Sequence, residues 1–300
     1  MPLATNHDLF IQSYETHYTS LIRSGCCRIF FYQKKESYLR LQMIAEDFYW
    51  ERYIPWGEWD EICSHLEKQF SSSVLPIKSI TKAFADFCDG VHLPAEWQNY
   101  RHIQVFTHGN LPLWVFPAHE SNTIWEFFLP VSKRKTLSAT RDTLIIYDDT
   151  LVSGNKEKET LSSLLPNPES VLLSFASSVL WENTYRTLHI IAHGKKGTLL
   201  SPPPLLTLPV LTAELAFFHC CEAAFSSQSI VSSTLSRGTQ YCIAPCETIP
   251  DDENLLDGIT FFYTALKKIP PLEAFHITSL GFPSIKRFFR FFLSYERHYQ

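Results

Sequence analysis

Two apolar runs, Leu188-His189-Ile190-Ile191-Ala192-His193-Gly194 and Phe217-Phe218-His219-Cys220-Cys221-Glu222, constrain the fold of this chain more than any other feature. Each is short and nearly continuous in apolar residues, the pattern of a strand covered on both faces rather than one. Strands of that kind belong to largely parallel sheets with helices packed above and below. Each run also ends in a side chain capable of chemistry, a histidine in one and a cysteine in the other. Open parallel sheets present such groups at the carboxyl ends of neighbouring strands. The two runs therefore predict an imidazole and a thiol at one rim of one sheet.

The flanking sequence extends this reading. Strands are expected at residues 102–106, 143–147 and 239–244, the last ended by Pro245. Leu113-Trp114-Val115-Phe116-Pro117 reads as a hairpin-like partner to the first, and Val171–Phe175 fits strand or helix equally. Helices are expected over Glu157–Leu165, over Ser229–Arg237 with closure at Gly238, and along the stripe Leu255, Ile259, Phe262 and Leu266. Two more should start at Pro271 and Ser284, with the basic, aromatic tail Lys286–Leu293 as a final helix packed on the sheet. This alternation predicts an α/β fold with a mostly parallel central sheet flanked by helices. His193 and Cys221 lie 28 positions apart, enough for a parallel crossover. Pro202-Pro203-Pro204 and Pro209 make that connection a loop or hairpin rather than a long helix.

Residues 1–75 read differently, as a mainly helical N-terminal segment with a regulatory or docking role. Tyr14, Tyr18, Leu21 and Ile22 fall at helical spacing, as do Leu39, Met43 and Phe48, with one strand at Cys27–Tyr32 between them. Ser71-Ser72-Ser73 and Pro76 mark the junction with a second unit, residues 76–300.

Composition closes off several functions. The net charge is −5, without the basic footprint of a nucleic-acid binder. The first residues lack a secretory pattern, and no apolar run approaches a membrane span. Eight cysteines, two pairs of them adjacent, point to reduced thiols in a cytoplasmic protein rather than a disulfide framework. With ten glycines and neither a GxGxxG nor a GxxxxGK[ST] pattern, a phosphate cradle of the flavodoxin or nucleotide-binding kind has no support.

A thiol attacks a carbonyl as the thiolate, and a free cysteine is mostly protonated at neutral pH. A neighbouring imidazole takes the proton, so His193 and Cys221 are the expected catalytic pair, with no cofactor and no metal. The backbone N–H groups of Gly194 and Cys221 are the natural donors to an oxyanion. A helix beginning after Cys221 would add its positive end. Period-two alternation turns Cys220 the other way, into the core. His189 shares a face with His193 and reads as core packing, with a group supporting the site from behind as the alternative. His108-Gly109 imitates the His-Gly pair without a cysteine strand to follow it. Cys242 and Cys246 beside His219, Cys220 and Cys221 suggest zinc, but adjacent residues on a strand point opposite ways and close a tetrahedron poorly.

These segments resemble those of CHAT domains, relatives of caspases and separases. Leu188–Gly194 is similar to the family's His-x-x-x-His-Gly stretch, and Phe218–Glu222 to its Ser-Ala-Cys-Glu stretch with Cys221 on the nucleophile. Arg237–Pro245, the acidic turn Asp251-Asp252, Phe262–Leu266 and Pro271–Phe275 follow in the family's order, and 104–120 resembles its upstream segment. The resemblance covers roughly residues 75–300 and implies a caspase-like fold. It implies a cytoplasmic cysteine endopeptidase with a protein substrate and a regulatory protein partner, in bacterial defence or signalling. It also places Glu247, Asp251 and Asp252 in the region that forms the pocket for the residue before the cut, where they would favour a basic side chain. The His-to-Cys connection is shorter than the family's, and Cys220, His219 and Ala223 depart from its usual residues. An inactive relative serving as a binding module is the alternative.

Overall fold

The computed structural model describes residues 25–34, 38–70, 74–107, 111–116, 123–131, 138–175, 183–200, 212–226, 228–250 and 253–296. Three strands come first, β1 (Cys26–Lys34), β2 (Tyr38–Ile44) and β3 (Tyr49–Pro55), then helices α1 (Trp56–Gln69) and α2 (Ile77–Gly90). Strands β4 (His102–Phe106), β5 (Ile124–Val131) and β6 (Arg141–Tyr147) lead to α3 (Val152–Leu164), β7 (Pro168–Leu172) and β8 (Thr184–Ile191). A two-residue hairpin, β9 (Gly194–Lys195) and β10 (Thr198–Leu199), precedes β11 (Thr212–His219), α4 (Ile230–Ser236) and β12 (Tyr241–Pro245). Helices α5 (Glu253–Leu266), α6 (Pro271–Gly281) and α7 (Pro283–Phe288) and strand β13 (Phe289–Glu296) complete the described chain.

Eleven strands form one sheet in the order β3-β2-β1-β4-β5-β13-β12-β11-β8-β6-β7. Seven of its ten neighbour pairings are parallel, so the expected α/β class with a mostly parallel central sheet holds. Alternation along each strand divides the core in two. Leu144, Ile146, Leu188, Ile190, Ala216, Phe218 and Cys242 face the layer that includes Trp59 of α1, Phe84 and Phe87 of α2 and Ile230 of α4. Ile145, Ile191, Leu215, Phe217 and Ile243 face Leu161 of α3, Ile259 and Phe262 of α5, Phe275 of α6 and Ile285 of α7. Burial on both faces is what makes these strands continuous apolar runs.

Three expectations are corrected. The mainly helical N-terminal segment is not what residues 26–55 form: Leu39, Leu41 and Met43 are all fully buried and alternate along β2, and β1 joins the main sheet beside β4. The spacing of Leu39 and Met43 suits a helix and a strand alike, and the intervening Leu41 decides for the strand. The predicted helix around Tyr14–Ile22 lies outside the described residues. Leu113–Val115 is a short 3-10 turn rather than a hairpin strand, and β4 instead pairs in parallel with β5. The C-terminal helix stops at Phe288, and β13 runs through the middle of the sheet between β5 and β12. Arg290, a charge within this central strand, is 2% exposed. Its two terminal nitrogens donate to the carbonyls of Phe116, Arg287 and Phe289, which offsets most of the cost of burying it, while Nε is left without a partner among the described residues.

Elsewhere sequence and structure agree. Ser229 precedes α4 and donates its N–H to the Ser232 hydroxyl at 3.0 Å, and Gly238 follows the helix at a φ of +117°. Helices α3, α5, α6 and α7 fall where periodicity put them. All eight cysteines are free. No helix of the described residues is long and apolar enough to cross a membrane.

Candidate functional site

Strands β8 and β11 are adjacent and parallel, with Ile190 opposite Phe218 and Ile191 opposite His219. Two residues beyond that register stand His193 and Cys221. The backbones stay together past the strand ends, since the Ala192 N–H donates to the His219 carbonyl at 3.3 Å. His193 then opens the β9–β10 hairpin, whose base closes with the Leu200 N–H on the His193 carbonyl at 2.9 Å. The hairpin turns on Lys196 and Gly197, both left-handed at φ of +45° and +82°, the turn that matches strand twist.

Gly194 is where the two segments touch. A Cβ built on it would stand 2.1 Å from the Cys221 carbonyl oxygen and 3.3 Å from the Cys221 nitrogen. Any other residue would drive backbone into backbone, so this glycine is dictated by close approach rather than by turn geometry. The His-Gly hairpin is thereby seated on the cysteine turn, and the sequence-predicted residues His193, Gly194 and Cys221 share one rim of the sheet.

The His193 side chain is exposed and Cys221 is half-buried. The Cys221 thiol donates to the Ile249 carbonyl at 3.7 Å. Burial pushes the thiol up from its ordinary pKa. This arrangement holds a neutral thiol, and sulfur and imidazole share no hydrogen bond. Among the described residues no backbone carbonyl accepts from the Cys221 N–H. The helix expected after Cys221 is α4, which starts at Ile230 beyond a turn formed by residues 221–224.

The turn is held by Glu222, a residue whose role sequence reasoning did not reach. Its backbone is left-handed at φ +55°, and it is 2% exposed. Its carboxylate accepts the Lys196 N–H at 2.8 Å and the Thr248 hydroxyl at 3.0 Å. Its carbonyl accepts the Gly197 N–H at 2.8 Å, and its own N–H donates to the Glu247 carbonyl at 3.0 Å. Of the pocket residues, Asp251 and Asp252 lie outside the described residues. The Glu247 carboxyl is 2% exposed and is raised to about 7 by burial, against the pull of Arg290 and Arg287. It faces protein rather than solvent.

Beneath the rim lies a second polar group of residues. Glu157 of α3 is 2% exposed and bridges two imidazoles, His189 Nε2 at 2.8 Å and His219 Nδ1 at 2.5 Å. His189 Nδ1 meets the Tyr263 hydroxyl of α5 at 2.8 Å. Burial opposes the charge on Glu157, but His219 and His189 outweigh it and hold the carboxyl down at about 2. Burial also lowers His189. With His189 neutral, one orientation satisfies the chain: Tyr263 donates to Nδ1 and Nε2–H donates to Glu157. His189 is thus a buried polar partner rather than simple packing. The available signal was two histidines on one face of adjacent apolar strands, which require an acid from the covering helix. Cys220 is 1% exposed and lies in the core, as alternation predicted. His108 and Gly109 lie outside the described residues. Among the described residues no group of three or more His, Cys, Asp or Glu is placed to hold a metal ion.

No protein-family model matches the chain, and no curated protein matches it in sequence.

Proposed function

We propose that this chain is a caspase-like cysteine endopeptidase of the CHAT type, with Cys221 as nucleophile and His193 as base. The reading rests on one observation above the others. Gly194 meets the Cys221 backbone with no room for a methyl group, which ties the His-Gly hairpin to the cysteine turn at the carboxyl ends of two adjacent parallel strands.

In the proposed reaction the Cys221 thiol leaves the Ile249 carbonyl and gives its proton to the His193 imidazole. The thiolate attacks the scissile carbonyl carbon, and the oxyanion accepts from the N–H groups of Gly194 and Cys221. Collapse expels the amine, which takes the proton from the imidazolium. Water, deprotonated by His193, then hydrolyses the thioester. The substrate is a protein or peptide. The thiol leaves its resting contact transiently in the isolated protein, a partner protein would hold it in the released state, and the chemistry requires no cofactor.

The resting contact also favours a second reading, an inactive binding module, because the thiol is held neutral and faces a carbonyl rather than the imidazole. Digestion of a complex peptide library separates the two. The wild type should produce cleavage products that Cys221→Ala and His193→Ala both fail to produce. Identical product sets from all three proteins would refute the protease and leave the binding module.

A further inference from the structure

We infer that Glu222 is the positioning residue that sets the spacing between His193 and Cys221, an inference that rests on the dyad proposed above. Glu222 follows the nucleophile directly, and Lys196, whose N–H its carboxylate accepts, lies three residues beyond the base. The same residue fastens the hairpin a second time through its carbonyl and the Gly197 N–H. Thr248 brings in the segment after β12, which also carries Ile249, the acceptor of the resting thiol. One side chain therefore joins the three segments that surround the sulfur.

The chemistry of the joint calls for this residue. Lys196 sits in a left-handed turn, and its N–H is taken up by the Glu222 carboxylate rather than by the hairpin ladder. A carboxylate accepts at both oxygens, so it serves the amide and the hydroxyl together. Glu222 is also held left-handed without being glycine, a conformation that persists only where the surroundings over-determine it. With both oxygens occupied and 2% exposure, the group does not face a substrate. Its effect on the site is through reach. Gly194 already touches the Cys221 backbone, so the hairpin has no slack, and a shorter link shifts the imidazole relative to the sulfur.

Three substitutions separate reach from charge. Glu222→Asp keeps the charge and shortens the arm. Glu222→Met keeps the length and removes both acceptors. Glu222→Gln keeps length and one acceptor for Lys196, and its amide can donate to the Thr248 oxygen. Site-resolved alkylation of Cys221 by iodoacetamide, followed by mass spectrometry from pH 5 to 10, reads the coupling of thiol and imidazole. In the wild type, alkylation should persist below the thiol's own titration, and His193→Ala should remove that limb. Glu222→Asp and Glu222→Met should lose it likewise, at least tenfold in rate at pH 7, with Glu222→Gln within about threefold of wild type. Adding His193→Ala to Glu222→Asp should slow it no further. If Glu222→Met fails to fold, Glu222→Asp carries the comparison. A wild-type limb that survives in Glu222→Asp overturns the positioning role and leaves the dyad standing. A wild-type profile identical to that of His193→Ala overturns the dyad and this inference together.

Discussion

Gly194→Ala is the sharpest perturbation the site offers. The added methyl carbon would stand 2.1 Å from the Cys221 carbonyl oxygen, whereas such carbons essentially never come within 3.0 Å of another heavy atom. The obstacle is backbone on both sides, so no side-chain rotation relieves it. The hairpin must retreat by about 0.9 Å at least, against the Glu222 contacts and the Ala192–His219 hydrogen bond that hold it down. Overpacking of this kind costs about 1–3 kcal/mol, and for a chain of this size each kcal/mol lowers the melting temperature by roughly 2–4 °C. The chemical effect should be larger than the thermal one, since a misplacement of about 1 Å costs on the order of 100-fold in rate. Gly57→Ala is the matched control. It lies near the start of α1 with nothing within 4 Å of its Cβ position, so alanine should be neutral or stabilising by up to about 1 kcal/mol. Thermal melts and Cys221 alkylation, or library cleavage, would be measured on both variants. A Gly194→Ala protein that melts within 1 °C of wild type and reacts at its rate would refute the claim that hairpin and cysteine turn are in backbone contact.

Other perturbations test the layers around the site. Glu157 is ionised between His189 and His219 with its carboxyl lowered from 4.5 to about 2. A carboxyl depressed in the folded state stabilises above its unfolded value and loses that stabilisation as pH falls. Urea unfolding should therefore show on the order of 3 kcal/mol lost between about pH 4.5 and 2, and Glu157→Gln should be less stable at pH 7 and flatter across that window. Glu247 has the opposite sign, being raised from 4.5 to about 7 by burial. Its contribution is fully present below about pH 4.5 and fades as pH rises to 7. Glu247→Gln should gain up to about 3 kcal/mol over wild type at pH 8, and the two should converge near pH 4; equal stability at pH 8 would show the carboxyl to be solvated. In α5, a Cβ on Gly258 would meet Ile285 Cγ1 at 2.4 Å. Gly258→Ala should cost about 1–3 kcal/mol, and Ile285→Ala in the same chain should recover part of it, as a double-mutant cycle would report.

How much of this was readable in the chain depends on how far apart the deciding residues lie. Strands β6, β8, β11 and β12 announce themselves because burial on both faces leaves a local trace, an apolar run with no polar side. His193 and Cys221 follow from where two such runs end. Strand β2 misleads because Leu39 and Met43 satisfy two periods at once, and one more residue, Leu41, resolves it. Strand β13 misleads for a different reason. Arg290 looks like a surface charge until Phe116, 174 positions away, supplies the carbonyl that receives it. Glu157 is of the same kind, since its partners sit 32 and 62 positions further on in two strands whose register sets them side by side. Glu222 lies between these cases. Its place beside Cys221 is local, but its task depends on a hairpin 26 residues earlier and a threonine 26 residues later. A buried acid is defined by the donors that surround it, and those donors come together only after the sheet has fixed which strands are neighbours. Apolar periodicity therefore located the rim of this sheet, while the polar residues that hold the rim in place became recognisable only through its topology.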